Sequence, residues 1–291
     1  MKQEIRAMMI GAHPDDCDFR YGGLALKYAK AGHKVKFLSL CNGCYGHSEM
    51  TPEQTAARRR KETQEVARRA GVEYEVWDVN DCELMADLET RKRLIREIRA
   101  FRPDVIFSHR PNDYHADHRN ASLLVQDASY LLIVPNFCPE VPALPKMPVI
   151  LYCSDNFQNP PFQADLAIGI DEVLDEKFLL MNEHVSQVYE WLPFSRGLQH
   201  TVPTDPAERL EWLKAPKIDR TTPPDDAAIL AMTVPAGQSE LKEARLASKF
   251  RQKLIERYGD AGKNIHCAEV FALCEYGSPL TPETAKELFP F

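Results

Sequence analysis

The sequence predicts an α/β protein with a Rossmann-like, mostly parallel sheet and helices on both of its faces. Three observations support this fold class. Short apolar runs alternate with longer amphipathic segments, their spacing suits strand–helix–strand units, and clusters of polar residues follow several of the apolar runs. Because ligands of such sheets bind beyond the carboxyl ends of the strands, these polar clusters are the first candidates for a functional site.

The elements up to residue 132 follow one another in a regular order. Gly32 and Gly71 each end a helical pattern, and Thr51-Pro52 begins one with a capping hydroxyl and a proline at the first helical position. Apolar runs predict strands at 6–12, 34–40, 74–79 and 104–108. Amphipathic patterns predict helices at 22–31, 51–70, 88–101 and 120–132.

The second half of the chain is less regular. Five prolines between residues 135 and 148 predict an irregular loop, and the proline-rich, polar segment 201–237 predicts an excursion or lid. Further patterns predict strands at 149–153 and 166–170, helices at 177–191 and 238–258, and a last edge strand at 268–273. We expect an α/β domain of residues 1–200 and an irregular and helical C-terminal extension, residues 201–291, that packs on it.

The composition argues against several classes of protein. The chain of 291 residues has 36 lysines and arginines against 43 aspartates and glutamates, and its net charge of −7 argues against nucleic-acid binding. The absence of a run of about 18 apolar residues argues against membrane insertion, and the charged N-terminus does not resemble a secretory signal. The eight cysteines are scattered, so we expect free thiols and a cytoplasmic location.

Two clusters of histidine and aspartate follow predicted strands. His13-Pro14-Asp15-Asp16 follows the first strand, and residues 109–118 follow the fourth. An aspartate-rich turn with proline is by itself an ordinary turn, but imidazole and carboxylate groups are also zinc ligands. Because both clusters follow strands of one predicted sheet, together they predict a metal site.

The residue types in these clusters suit metal-dependent hydrolysis. His13 and Asp16 are spaced to ligate one metal ion from a single turn, with His115 or His118 as a third ligand. A catalytic zinc site keeps water at its fourth position and lowers the pKa of that water to about 7. Asp15 lies between the two ligands in sequence and is free to take the proton of the water.

A further histidine and aspartate of the second cluster suit supporting roles. His115, if it is not a ligand, would stabilise an oxyanion or protonate a leaving group, because imidazole titrates near neutral pH. Asp117 would then hold the ring of His115 and raise its basicity.

Other motifs are weaker. The CNGC sequence at 41–44 has no second cysteine pair to complete a zinc site, and Gly22-Gly23 lacks the spacing of a dinucleotide-binding loop. The basic run 58–61 reads as a solvated helix face with Glu62 and Glu65 in reach. Since no Gly-x-Ser-x-Gly elbow occurs, a serine hydrolase is disfavoured.

Together these motifs resemble those of the LmbE/PIG-L family of zinc-dependent deacetylases, which remove the acetyl group from N-acetylglucosamine-type sugars. The two His/Asp motifs carry most of the resemblance, which is good up to residue 190 and thin afterwards. Weaker similarities are Gly22-Gly23 with Gly32-His33-x-Val35, Asn42-Gly43 with Gly46-His47, Arg59-x-x-Glu62 with Gly71-Val72, Lys177 with His184-x-Ser186-Gln187, and Glu269-x-Phe271.

The resemblance implies an enzyme with one zinc ion per chain that hydrolyses the N-acetyl group of an amino sugar or its glycoside. Iron, cobalt or nickel are alternatives to zinc. The implied roles are metal ligation by His13, Asp16 and His118, base catalysis by Asp15, acid catalysis or oxyanion stabilisation by His115 with Asp117 orienting it, and substrate binding by Arg59 and Asp113. Because family members often form trimers or hexamers, a homo-oligomer is expected.

Two departures from the family pattern and two alternative functions stay open. Cys17 stands where relatives commonly have glutamate, and Cys267 stands where many have an aromatic residue. The substrate could be another N-acyl glycoconjugate, or the chain could be a non-catalytic relative that binds a sugar or a metal. The presence of Asp15 argues against the second alternative, because a binding module does not need a base.

Overall fold

Strand β1 (Arg6–Gly11) lies inside the sheet because its side chains are apolar on both faces. Ala7 and Met9 pack into one hydrophobic core, and Met8 and Ile10 pack into the core on the opposite face. The sheet is therefore covered on both sides, as the predicted fold class requires.

The computed structural model describes residues 4–234, 237 and 239–291. The other strands are β2 (Lys34–Ser39), β3 (Glu73–Val76), β4 (Val105–Ser108), β5 (Val149–Cys153), β6 (Leu166–Gly169) and β7 (Ala268–Leu273). They form one seven-stranded sheet in the order β3-β2-β1-β4-β5-β7-β6. The strands from β3 to β5 along this order pair in parallel, and β7 is antiparallel to both of its neighbours. The prediction of a mostly parallel α/β sheet is confirmed.

Eleven α-helices occur in the described residues. They are α1 (Asp16–Lys30), α2 (Pro52–Ala70), α3 (Leu88–Phe101), α4 (Ala116–Ser129), α5 (Leu174–Glu183), α6 (Leu192–Ser195), α7 (Pro206–Lys214), α8 (Asp226–Ala231), α9 (Glu240–Lys249), α10 (Arg251–Tyr258) and α11 (Pro282–Leu288). Within the described part of the chain, no helix has the length and apolar character needed to cross a lipid bilayer.

Helices α1 and α4 begin earlier than the sequence pattern predicts. The first begins at Asp16 instead of residue 22, and the second at Ala116 instead of residue 120. Polar residues in the first turn of each helix hide its start from a search for apolar periodicity. Each His/Asp cluster consequently reaches from a strand end into the first turn of the next helix, where its side chains face the carboxyl edge of the sheet.

The C-terminal region differs from its prediction in three ways. The predicted helix at 177–191 divides, because α5 is followed by a π-helical turn at Ser186–Trp191. The segment 201–237 contains helices α7 and α8 in its described part. The predicted helix at 238–258, whose first residue lies outside the described residues, is two helices that part at Phe250.

The prediction of a last edge strand is wrong, because β7 lies between β5 and β6. A buried carboxylate in the middle of this strand, Glu269, is stabilised by charge and hydrogen bonds. Lys177 Nζ lies 2.9 Å from Glu269 and 2.8 Å from Glu243 of α9. Glu269 also accepts the backbone N–H groups of Gly23 and Leu24, each at 2.8 Å. This network joins the C-terminal helices to α1 and to the sheet.

The proline-rich loop at 135–148 is held by a buried side chain of α3. Arg99 donates hydrogen bonds to six backbone carbonyls between residues 131 and 141, at 2.6 to 3.1 Å. The loop packs without regular secondary structure because one guanidinium satisfies so many of its carbonyl groups.

Candidate active site

The turn between β1 and α1 forms the first part of the candidate site. Asp16 Oδ2 accepts the backbone N–H groups of Ala12 at 3.0 Å and His13 at 2.8 Å, which folds its carboxylate back over the strand end. A Cβ atom at Gly11 would lie 2.7 Å from Cβ of Asp16, so the turn needs glycine at this position. The tight turn directs His13 and Asp16 toward the same point.

The junction between β4 and α4 forms the second part. His115 is the N-cap residue of α4, and His118 lies in the first turn of the helix. Asp113 Oδ1 accepts the backbone N–H of His115 at 2.9 Å. Because β1 and β4 are neighbours in the sheet, this junction lies beside the first turn.

Three side-chain atoms converge between the two junctions. His13 Nδ1 lies 3.2 Å from His118 Nε2, and Asp16 Oδ2 lies 3.6 Å from each of these nitrogens. In a tetrahedral zinc site with bonds of about 2.0–2.1 Å, ligand atoms lie about 3.3 Å apart. The spacing of the three atoms therefore fits a single ion of this size.

The opposite nitrogen of each histidine ring faces a carboxylate. His13 Nε2 lies 3.0 Å from Asp117 Oδ2, and His118 Nδ1 lies 3.1 Å from Asp113 Oδ1. If each ring carries its proton on the nitrogen that faces the carboxylate, His13 Nδ1 and His118 Nε2 face each other with lone pairs at 3.2 Å. A cation bound by both nitrogens would relieve the repulsion between these lone pairs. Carboxylates behind the rings are typical of histidines that bind metal.

The charges around His13 and Asp16 favour a positive charge in the site. Burial alone would lower the pKa of His13, but its contacts with Asp117 and Asp16 raise it to about 10. Burial alone would raise the pKa of Asp16, but the neighbouring His118 and His109 lower it well below its usual range. The site thus keeps a carboxylate ionised in a buried place, which suits a metal ligand.

The contacts of Asp117 favour His13 over the expected His115 as its partner. Its carboxylate contacts His13 and accepts the backbone N–H of Cys82 at 2.6 Å, whereas His115 Nδ1 is 3.8 Å away from it. The backbone N–H of Asp117 donates to His115 Nδ1 at 3.2 Å, so the proton of a neutral His115 lies on Nε2. Burial and the positive charges of His13 and His118 lower the pKa of His115. This ring is suited to donate an N–H bond while neutral.

Arg59 and Asp113, the residues expected to bind substrate, both contact other groups of the site. Asp113 faces His118, and its side chain is only 8% exposed. Arg59 is buried, with Nη2 2.9 Å from Asp15 Oδ1 and Nη1 3.3 Å from the carbonyl of Gly43. A Cβ atom at Gly43 would lie 2.6 Å from Arg59 Cδ. Both residues position other groups of the site, and Arg59 fixes the carboxylate of Asp15.

The sequence analysis missed His109. Its ring stacks on that of His118 with centroids 4.1 Å apart, and its Nε2 lies 3.2 Å from Asp16 Oδ2. Burial and the nearby charge of His118 lower the pKa of His109 to about 4, so the ring is neutral at physiological pH. Its place directly after β4 was the available signal.

A second missed residue is Asp81, which follows the third strand. It accepts the backbone N–H of Gly43 at 2.8 Å and lies 3.8 Å from Arg59. The carboxylate supports the same loop that packs against Arg59. Here too, the position of the residue after a strand was the available signal.

The site opens into a cavity of about 1100 Å³. His13, Asp15 and His115 line it, together with Arg59 and Asp81. Aromatic side chains at Tyr45, Tyr114 and Trp191 also line the cavity, and the first two are 46% and 75% exposed. A cavity of this size accommodates a ligand larger than a monosaccharide.

Comparison with known proteins places this site in a family. Residues 8–129 match the family model described as PIG-L: GlcNAc-PI de-N-acetylase. The matched range contains both His/Asp clusters and ends at the last residue of α4. The resemblance that the sequence predicts is confirmed over these residues.

The proteins to which this chain is similar include enzymes of two kinds. A diacetylchitobiose deacetylase of Thermococcus kodakarensis is 33% identical over 138 residues, which are 45% of this chain and 52% of the relative. A 4-oxalmesaconate hydratase of Pseudomonas putida is 27% identical over 206 residues, which are 66% of this chain and 80% of the relative. The solved N,N'-diacetylchitobiose deacetylase from Pyrococcus horikoshii superposes with a TM-score of 0.66 at 21% identity, covering 94% of this chain and 85% of that one. The last comparison supports the fold.

Proposed function

We propose that this protein is a metal-dependent N-deacetylase that releases acetate from an N-acetylated amino sugar or its glycoside. The observation that carries the proposal is the convergence of His13 Nδ1, Asp16 Oδ2 and His118 Nε2 beside a second carboxylate, Asp15, at the cavity wall. The family description and the Thermococcus relative support acetamido sugars as the substrate class.

His13, Asp16 and His118 would hold the metal, with zinc as the first choice for two imidazoles and one carboxylate. When bound, the metal supplies Lewis acidity for the amide carbonyl and lowers the pKa of a water molecule. Asp117 and Asp113 keep the two rings in the required tautomer by holding the protons of their outer nitrogens.

The remaining groups supply proton transfer and charge stabilisation. Asp15, fixed by Arg59, accepts a proton from the attacking water and later returns it to the leaving amine. His115 donates its Nε2–H to the oxyanion that forms at the acetyl carbon, a role that its lowered pKa permits. Tyr45 and Tyr114 would pack on the sugar ring at the mouth of the cavity.

A hydratase is the second candidate, because this chain aligns with the 4-oxalmesaconate hydratase over more residues than with the Thermococcus deacetylase. In hydration of a carbon–carbon double bond, the same Asp15 would take a proton from water as the hydroxyl adds to one carbon, and would deliver a proton to the other carbon. The two reactions differ in product, because only deacetylation releases acetate and a free amine.

The test measures acetate and free amine released from N-acetylglucosamine, N,N'-diacetylchitobiose and methyl N-acetylglucosaminide by chelated and zinc-reconstituted protein. We expect zinc-dependent release, reduced about 10²–10⁴-fold in Asp15→Asn with zinc content unchanged. The matched control is Asp260→Asn, an aspartate whose side chain is 94% exposed on the surface.

Other results would redirect or end the proposal. Free amine without acetate, from sugars carrying longer acyl groups, would indicate another N-acyl glycoconjugate. Loss of the ultraviolet absorbance of an unsaturated polycarboxylate, without acetate release, would favour the hydratase. Full turnover by Asp15→Asn would remove this residue as the base, and binding of sugar without turnover would indicate a non-catalytic relative.

A further inference from the structure

The cavity has a second wall, opposite in charge to the His/Asp site. Arg196 follows α6, Lys242 lies on α9, and both line the cavity together with Arg20 of α1. Two of the three come from the part of the chain beyond the residues that match the PIG-L family model. Most of this wall therefore lies outside the range that matches the family model.

These three cations have no ionic partner among the residues that the structure describes. Arg20 Nη1 donates a hydrogen bond to the carbonyl oxygen of Ser154 at 3.3 Å, which is a neutral partner. Arg20 and Arg196 are exposed and Lys242 is half-buried, so all three are accessible to an anion that enters the cavity.

The carboxylates of the same cavity do not neutralise these three cations, because they already have partners. Asp155 contacts Arg110 at 2.6 and 2.9 Å. Glu243 and Glu269 share Lys177, and Asp15 contacts Arg59. The positive charge of the second wall is consequently not neutralised from within the cavity.

The three cations act on one another and reach toward the candidate metal ligands. Burial and the charges of Arg196 and Arg20 lower the pKa of Lys242 to about 8. Burial alone would lower the pKa of Arg20, but nearby groups that include Asp16 and Asp113 raise it. Arg20 also lines the same cavity as His13 and Asp16, so one ligand in this cavity can contact both walls.

We propose that Arg20, Arg196 and Lys242 form an anion subsite, and that the substrate is an N-acetylated amino-sugar derivative bearing a phosphate or carboxylate group. This inference rests on the proposed deacetylase function and names its substrate class. The anionic group would contact the three cations while the acetamido group faces His13 and Asp15.

The first experiment compares neutral and anionic substrates on the full chain. N-acetylglucosamine and its methyl glycoside are neutral, N-acetylglucosamine 1-phosphate carries phosphate, and N-acetylmuramic acid carries carboxylate. In Arg196→Met/Lys242→Met we expect KM for a charged substrate to rise about tenfold to a hundredfold, because each lost charge-assisted hydrogen bond weakens binding. KM for the neutral sugars should change less than about twofold, and kcat should stay similar.

The control is Lys253→Gln, which removes an ordinary surface cation of α10 that pairs with Glu256 at 3.1 Å. It should leave every KM unchanged. Equal changes of KM for neutral and charged sugars in the double variant, or a wild-type preference for neutral sugars, would overturn the subsite.

A binding measurement keeps this test separate from the test of deacetylation. Calorimetry at constant ionic strength gives the affinity of metal-free protein for inorganic phosphate and for succinate. We expect binding that weakens at least about tenfold in Arg196→Met/Lys242→Met and in Arg20→Met, whether or not acetate is ever released. The tighter of the two probes identifies phosphate or carboxylate as the source of the charge. Equal affinity in wild type and variants would exclude the subsite.

The pH dependence of phosphate affinity provides a second readout. Lys242 is protonated below pH 8 and loses its charge above it, while Arg196 and Arg20 stay charged and the facing Glu243 stays paired with Lys177. Affinity should therefore fall as pH rises through about 8. In Lys242→Met this step should disappear, and its persistence would assign the titration to another group.

Discussion

The two walls of the cavity differ in whether their charged side chains have partners inside the protein. At the ends of β1 and β4, charged groups face partners inside the protein, as His13 faces Asp117 and Asp15 faces Arg59. On the wall that includes α9, Lys242 forms no salt bridge among the described residues, because the neighbouring Glu243 is paired with Lys177. The comparison indicates that the first wall is preorganised for chemistry, whereas the second keeps its charge available for a ligand.

The walls also differ in how the sequence encodes them. The first is formed by short motifs at 13–16 and 113–118, inside the residues that match the family model. The second joins residues 20, 196 and 242, which are distant in sequence and carry no recognisable spacing. A motif search therefore reaches the first wall and not the second.

The largest expected effect comes from removing a proposed metal ligand. His118→Ala should lower the zinc content from one per chain to near zero and reduce turnover at least about 10³-fold, because the loss of Lewis acidity costs several kcal/mol of transition-state stabilisation. Metal analysis with an activity assay measures both, and His200→Ala, an exposed histidine, is the control. Full zinc content in His118→Ala would disprove the ligand set.

A smaller effect is expected from breaking the network that joins the two walls. Lys177→Met leaves the buried Glu243 and Glu269 without their cation and should destabilise the protein by about 3–5 kcal/mol. Urea unfolding measures this change, and Lys263→Met, at a lysine whose side chain is 61% exposed, should change stability by less than about 1 kcal/mol. Equal stability of both variants would mean that the network does not anchor α9.

The smallest expected effect is on zinc affinity, in a variant that tests which histidine Asp117 contacts. Asp117→Asn should weaken zinc binding about 10- to 100-fold, because the carboxylate holds His13 Nε2. A competition titration with a chelator measures the affinity, and Asp87→Asn, the exposed N-cap of α3, is the control. If the pH profile of turnover changed and zinc affinity did not, Asp117 would instead act on His115, as the sequence predicts.

Several expectations from the sequence stay predictions. They are the domain boundary at residue 200, the cytoplasmic location, the trimer or hexamer, and the identity of the metal as zinc. The departures at Cys17 and Cys267 have a structural account, since both thiols are buried, and Cys17 Sγ lies 3.2 Å from the carbonyl oxygen of Met9. Cys17 therefore contacts the strand backbone.

The site residues differ in how far the sequence indicates their contacts. His13 and Asp15 could be proposed from their types and their positions after a strand, whereas the choice of His118 over His115 as a ligand came from the family resemblance. Arg59 and Asp113 were assigned to substrate, although both are turned toward other groups of the site. The direction of a side chain depends on neighbours that are remote in sequence, so a motif alone does not provide it.

The sequence by itself determined the α/β class, because apolar runs and amphipathic segments alternate along the chain, and the location of the His/Asp clusters, because polar residues follow strand ends. Only the tertiary structure decided that Asp117 serves His13, that β7 lies inside the sheet and that Lys242 joins Arg196 on one wall. The physical reason is range: periodicity reports on neighbours within one element, whereas pairing of charges and strands depends on contacts between distant segments.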